Sequence, residues 1–351
     1  MKQAFPIEGR MVGHGQKCFL IGEIGSNHNL DKVVVRELID ACAEAGFDAV
    51  KFQIYDAAEA FSAHVTTADV KLDHLYGLRP WWEVARDTIL MPREWFGEMF
   101  AYARAKGLIP FSAIHRLEDA LFLEGFGLPV LKIASIDLHY HHLLKQLAIL
   151  GKPMIISTGM AYLSEIDETM RLLEGLGVEE AALLHCVSCY PPKPEQTNLR
   201  NIGLLSESFG VPAGFSDHST GIACSVAAVA LGACIIEKHI TLDRTFPGPD
   251  HPFALEPGGM KRLAQAVRET EASLGTRTRV LSASELDSRV MIRRSVVARA
   301  DIAKGKPVTL ESVKFARPGT GIPANDFRYV EGRIAAQDIA AEAIISWDML
   351  L

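Results

Sequence analysis

A chain of 351 residues, 48% of them hydrophobic, can bury a large core, and its length suits one big domain followed by a small one. A formal net charge of -7 gives no general attraction to nucleic acid or anionic membranes, so an anionic ligand must be held by a few local cations. The most apolar run, CSVAAVALGACII at 224 to 236, falls short of the ~18 residues that span a bilayer, and the opening MKQAFPIEGRMVGHGQ lacks a signal-peptide core, so the protein reads as cytoplasmic.

In chain order, short β-rich apolar runs alternate with helical spacing. CFLIGEIG (18 to 25) reads as a buried strand. Val35, Leu38, Ile39 and Cys42 follow with helical periodicity, Gly46 suits a helix stop, and FDAVKFQ (47 to 53) is the next strand. LIPFSA (108 to 113), VLKIAS (130 to 135), PMIIST (153 to 158), AALLHCV (181 to 187), VPAGFSD (211 to 217) and ACIIEKH (233 to 239) bring the total to eight. Eight strands over about 240 residues, mostly separated by helical segments, predict an α/β protein with a (β/α)8 TIM barrel.

The gap from 54 to 92 is the least regular. Its DHLYGLRPWWEV reads as a loop over the barrel mouth, and MPREWFGEMFAYARAKG after it reads as an amphipathic helix. A helix near 259 to 274 closes the barrel domain, taken as 1–280. ASELDSRVMIRR then reads as a polar, irregular linker at 281–294, and short strands with KGK and PGTG turns form a small domain at 295–351. At roughly 60 residues that domain is near the lower limit for independent stability.

The cysteines (Cys18, Cys42, Cys186, Cys189, Cys224 and Cys234) are scattered and read as reduced; the CxxC of Cys186 and Cys189 lacks the second half of a zinc site. HYHH at 139 to 142 reads as a solvated helix start.

Polar residues gather where buried strands exit. Strand one ends with Glu23, Ser26, Asn27 and His28, strand two with Lys51 and Gln53, and strand four with Lys132 and Ser135. Strands five to eight add Ser157 and Thr158, Ser188 and Tyr190, Asp217 and His218, and Glu237 and His239. Each taken singly reads as a solvated charge or a satisfied structural group. Together they fall on the C-terminal rim of a barrel, where active sites form, and burying several charges in one place is costly unless they neutralise one another or a ligand. His218 and His239 could bind a divalent ion, Lys51 and Lys132 a phosphate or carboxylate, and Glu23, a carboxylate in an apolar strand, could act as a general acid or base.

The ordered motifs IGEIGSNHN, DAVKFQ, LKIAS, MIISTGM, HCVSCYP, GFSDHS, EKHITLDR and GPDHPFALEP resemble those of the sialic acid synthase family. RRSVVARADIAKGKPVTLESVKFARPGTGI resembles the SAF (antifreeze-like, β-clip) domain that follows the barrel in those enzymes, so the resemblance covers almost the whole chain. It implies a transferase that condenses phosphoenolpyruvate with an N-acylated amino-sugar aldehyde and releases phosphate, with a divalent ion, manganese first and magnesium or cobalt as alternatives.

By the same resemblance, His218 and His239 bind the metal, Lys51, Lys132, Ser135 and Ser157 hold phosphoenolpyruvate, and Glu23, Lys51 and Glu237 are catalytic. Gln53, Ser188, Tyr190 and Asp250 lie near the sugar, and Arg317 reaches it from a neighbouring subunit in a homodimer with swapped C-terminal domains. The chain departs from the family pattern on the sugar side: Ser188 stands where the sialic acid synthases proper carry asparagine, and PFSAIHR replaces a small-residue, Thr, Pro, Phe run. A sialate, legionaminate, pseudaminate or other nonulosonate product therefore stays open. Two other readings also stay open: a phosphoenolpyruvate-dependent synthase acting on an aldose phosphate, and a non-catalytic carbohydrate-binding or assembly protein.

Overall fold

A computed structural model describes residues 1–276 and 278–351, which divide into two compact units, Met1–Gly275 and Thr276–Leu351. The first opens with an antiparallel hairpin, β1 (Ala4–Ile7) and β2 (Arg10–Gly13), which the sequence reading missed. The strands that follow are β3 (Phe19–Glu23), β4 (Ala49–Ile54), β5 (Ile109–Ile114), β6 (Leu131–Ile133), β7 (Met154–Ser157), β8 (Ala181–Cys186), β9 (Ala213–Asp217) and β10 (Ile235–His239). All eight lie within or one residue beyond the expected segments. They pair in parallel, in sequence order, and β10 returns to β3 to close the barrel.

Local chemistry sets the helix ends. Asp31 accepts from Val33 N at 2.7 Å to start the helix Lys32–Ala45, and Gly46 stops it at φ 82°, a left-handed conformation open to glycine without strain. Strand interiors are buried on both faces, one against the helices and the other inside the barrel.

Two expectations are corrected. The 54 to 92 segment is not a plain loop: it folds into the short helices Ala57–Ala60, Asp73–Tyr76 and Trp81–Val84 and a π-helical turn, Ala85–Ile89. Ala57, Trp81, Val84, Ala85 and Ile89 form a small core of their own there. The 281–294 segment is not irregular either. Ser282 caps the helix Ala283–Ile292 by accepting from Glu285 N at 3.2 Å, while Glu285 Oε2 accepts from Ser282 N at 3.0 Å. Its polar composition hid a reciprocal capping pair.

In the second unit β11 (Ser295–Ala298) pairs antiparallel with β12 (Val313–Ala316) around Val296, Val308, Val313, Ile322, Val330 and Ile345. No helix among the described residues is long and apolar enough to cross a membrane.

Candidate active site

The barrel register decides which side chains meet. His239 lies level with Glu23, and Glu23 with Lys51. Gln53 is level with Ala113, and Ala113 with Lys132; Cys186 is level with Ser216, and Ser216 with Glu237. Because side chains alternate, these residues all point inward at the C-terminal end of the barrel. They line a cavity of about 420 Å³, the size of a small-molecule site. Of the predicted residues, Glu23, Lys51, Gln53, Lys132, Ser135, Ser157, Ser188, Tyr190, His218, Glu237 and His239 all line it. Asp250 stands just behind this wall, accepting from Ser26 Oγ at 2.9 Å. Arg317 belongs to the second unit, exposed in the turn after β12.

The floor is a cluster of nearly buried charges. Lys51 Nζ lies 3.1 Å from Glu23 Oε2 and 3.2 Å from Glu237 Oε1, and Gln53 donates to Glu23 Oε1 at 2.8 Å. Lys132 Nζ donates to Ser157 Oγ at 2.6 Å and lies 4.0 Å from Glu237 Oε2. Ser216 donates to Glu237 Oε1 at 3.1 Å, and Ser135 Oγ accepts from Gly159 N at 2.9 Å.

The two carboxyls differ because their neighbours differ. Burial pushes Glu23 up to about 7 against the pull of Lys51. Burial also acts on Glu237, but Lys132 and Lys51 together outweigh it and bring that carboxyl down to about 2. Burial lowers Lys132 from its usual range, with Glu237 opposing. One carboxylate is thus a fixed anion and the other is poised to exchange a proton near neutrality.

His218 and His239 stand with ring centroids 5.3 Å apart, and Tyr190 lies 4.3 Å from His218. His218 Nδ1 donates to Val187 O at 3.1 Å, which leaves Nε2 as the nitrogen with the lone pair. His239 is held neutral by burial, with the nearby His218 adding to the effect. Its Nδ1 is buried without a hydrogen-bond partner, 3.7 Å from Asp250 Oδ2. Among the described residues no group of three or more His, Cys, Asp or Glu forms a closed metal cage. Two adjacent imidazoles, one with an orphaned nitrogen, fit an open site in which a divalent ion would keep positions for substrate and water.

Tyr55, His115, Cys186 and Ser216 also line the cavity; the sequence reading put none of them at the barrel rim and considered Cys186 only as half of a CxxC. The two-residue alternation would have found three of them: Tyr55 is two beyond Gln53, Cys186 two before Ser188, and Ser216 two before His218. Phe61, from the 54 to 92 segment, adds an apolar wall, and Trp81 packs edge-on against it at 6.0 Å.

The chain is 33% identical over 340 residues to the N,N'-diacetyllegionaminic acid synthase of Legionella pneumophila, covering 96% of this chain and 95% of that one. It is 36% identical over 329 residues to the N-acetylneuraminate-9-phosphate synthase of Mus musculus, covering 93% and 90%. The crystal structure of the spore coat polysaccharide biosynthesis protein spsE from Bacillus subtilis superposes with a TM-score of 0.67 at 34% identity, covering 99% of both chains. Residues 38–279 match the NeuB family and residues 293–351 the SAF domain, so the chain belongs to the NeuB family of synthases, a TIM barrel carrying a C-terminal SAF domain.

Proposed function

We propose that this chain is a nonulosonic acid synthase: it condenses phosphoenolpyruvate with an N-acylated amino-sugar aldehyde and water to give a nine-carbon 2-keto sugar acid and phosphate. The observation that carries the reading is the cavity floor. Two lysines and two carboxylates meet there, Lys51 bridges Glu23 and Glu237, and Glu237 Oε2 and His239 Nδ1 are buried without hydrogen-bond partners. Such groups are costly when left alone and explicable when a bound cation or the hydroxyls of a ligand complete them. The relatives named N,N'-diacetyllegionaminic acid synthase and N-acetylneuraminate-9-phosphate synthase support the product class, the second with a phosphorylated product.

In this reading Lys51, Lys132, Ser135 and Ser157 hold the phosphate and carboxylate of phosphoenolpyruvate through charge-assisted hydrogen bonds. Glu237 keeps both lysines charged and in place. A divalent ion bound by His218 and His239 would supply Lewis-acid polarisation of the aldehyde oxygen. Glu23 takes the proton of the water that adds at C2, where positive charge develops once the methylene carbon has bonded to the aldehyde; the tetrahedral intermediate then expels phosphate. Gln53 orients Glu23, while Ser188, Tyr190 and Asp250 border the acceptor. Arg317 of the partner subunit would complete the sugar site in a swapped homodimer.

Among the described residues that line the cavity, Lys51 and Lys132 are the sole Lys or Arg side chains. They suffice for the negative charges of one phosphoenolpyruvate. The test is phosphate release by purified protein with phosphoenolpyruvate, Mn2+ and a panel of N-acyl hexosamines, with and without chelator. Sugar-dependent, chelator-sensitive release is expected. A protein that binds the metal yet releases no phosphate with any sugar would refute the reading.

A further inference from the structure

One polar pair in the cavity has no part in the chemistry above. His115 lines the wall, and its Nδ1 lies 2.7 Å from Asp137 Oδ2. Asp137 comes from the one-turn helix Ser135–Asp137 that follows β6 and is buried. The carboxylate can only accept, so Nδ1 carries the proton and, in the neutral ring, Nε2 holds the lone pair. Among the described residues Nε2 makes no hydrogen bond. Tyr55 packs edge-on against the ring with centroids 5.4 Å apart, which fixes its plane. Arg116, the adjacent cation, is taken up by Glu59 at 2.8 Å and Asp119 at 3.1 Å.

The register gives the height of this pair. Ala113 is level with Gln53 and Lys132. His115 and Tyr55 are each two residues further along and so sit one rung nearer the mouth, about 7 Å further along the chain direction. A ligand whose reacting atoms lie among Glu23, Lys51 and Lys132 would meet His115 with a part remote from the bonds being made.

We propose that His115, oriented by Asp137, is a specificity-determining residue: its Nε2 accepts a hydrogen bond from a hydroxyl or amide N–H of the acceptor sugar, away from the aldehyde. The assignment rests on the synthase reading and deepens it, because it names what the cavity mouth reads on the acceptor. A phenylalanine in this place would present no acceptor.

The experiment uses the full chain, the N-acyl hexosamine it turns over best, and analogues of that sugar lacking one hydroxyl or amide N–H at a time. Wild-type protein should lose about 3- to 10-fold in kcat/KM against one analogue, the range of one neutral hydrogen bond. H115F should treat that analogue and the parent alike while keeping its discrimination elsewhere. H115Q, whose amide oxygen can accept, should restore part of the preference, and D137N should weaken it.

A pair that merely ties two loops together would lower turnover of every sugar equally. An unchanged discrimination ratio in both H115F and H115Q, with wild-type turnover intact, overturns the assignment and leaves the synthase reading standing. Should H115F fail to fold, H115Q and D137N still carry the ratio. Absence of turnover by the wild-type protein with every sugar overturns both.

Discussion

Glu23→Gln isolates the part of the site where burial outweighs pairing. Burial raises the Glu23 carboxyl from 4.5 to about 7, so the folded chain holds a proton there that the unfolded chain releases. The sign follows from that difference. The contribution to stability is fully present below pH 4.5 and is lost as pH rises through 7. The shift corresponds to about 3 kcal/mol. Urea denaturation of wild type and E23Q at pH 4.5 and pH 8 measures it as a difference of differences, in which titrating groups remote from Glu23 cancel. The wild type should lose about 3 kcal/mol more than the variant across that interval. Phosphate release tests the same proton: kcat/KM should rise through pH 7 in the wild type, and E23Q should be about 10²- to 10⁴-fold slower at pH 8. Parallel stability profiles for the two proteins would refute the claim that Glu23 is a desolvated acid.

Three further outcomes are expected. Lys132→Ala removes a charge-assisted donor and leaves Glu237 with Lys51 alone, so calorimetry should show phosphoenolpyruvate binding weakened by about 10- to 100-fold. A Cβ on Gly159 would collide with Ser188 Oγ and stand 2.8 Å from Ser135 Oγ, so G159A should unfold cooperatively yet lose most phosphate release; normal turnover would show that the two serines can move aside. Asp217→Ala strands the buried Lys238, whose Nζ lies 2.9 Å from Asp217 Oδ2, and should cost about 3–5 kcal/mol in urea denaturation; a loss below 1 kcal/mol would mean that water reaches this pair.

Much of the site could be read in the linear sequence because a parallel barrel sends each strand's C-terminal end to one rim. Glu23, Lys51, Lys132, His218, Glu237 and His239 interrupt apolar runs, and such interruptions are costly enough to stand out. The residues overlooked carry no such mark. Ser216 and Cys186 are small, and Tyr55 and His115 lie beyond their strand ends, where polar and aromatic residues are common in any loop. The helix Ala283–Ile292 was overlooked for another reason: Val290, Met291 and Ile292 cluster at its end behind a polar start, and its capping pair is the clearer signal.

The sequence by itself determined the alternation of strand and helix, the barrel and the charged rim, because periodicity and burial cost are local properties of the chain. Tertiary structure alone decided which charges touch. Glu23 and Glu237 are both carboxylates in apolar strands, and nothing in their sequence neighbourhoods says that one meets two lysines while the other is held by burial near neutrality. The inter-strand register sets those distances, and in a low-dielectric cavity distances of 3 to 4 Å set the protonation state.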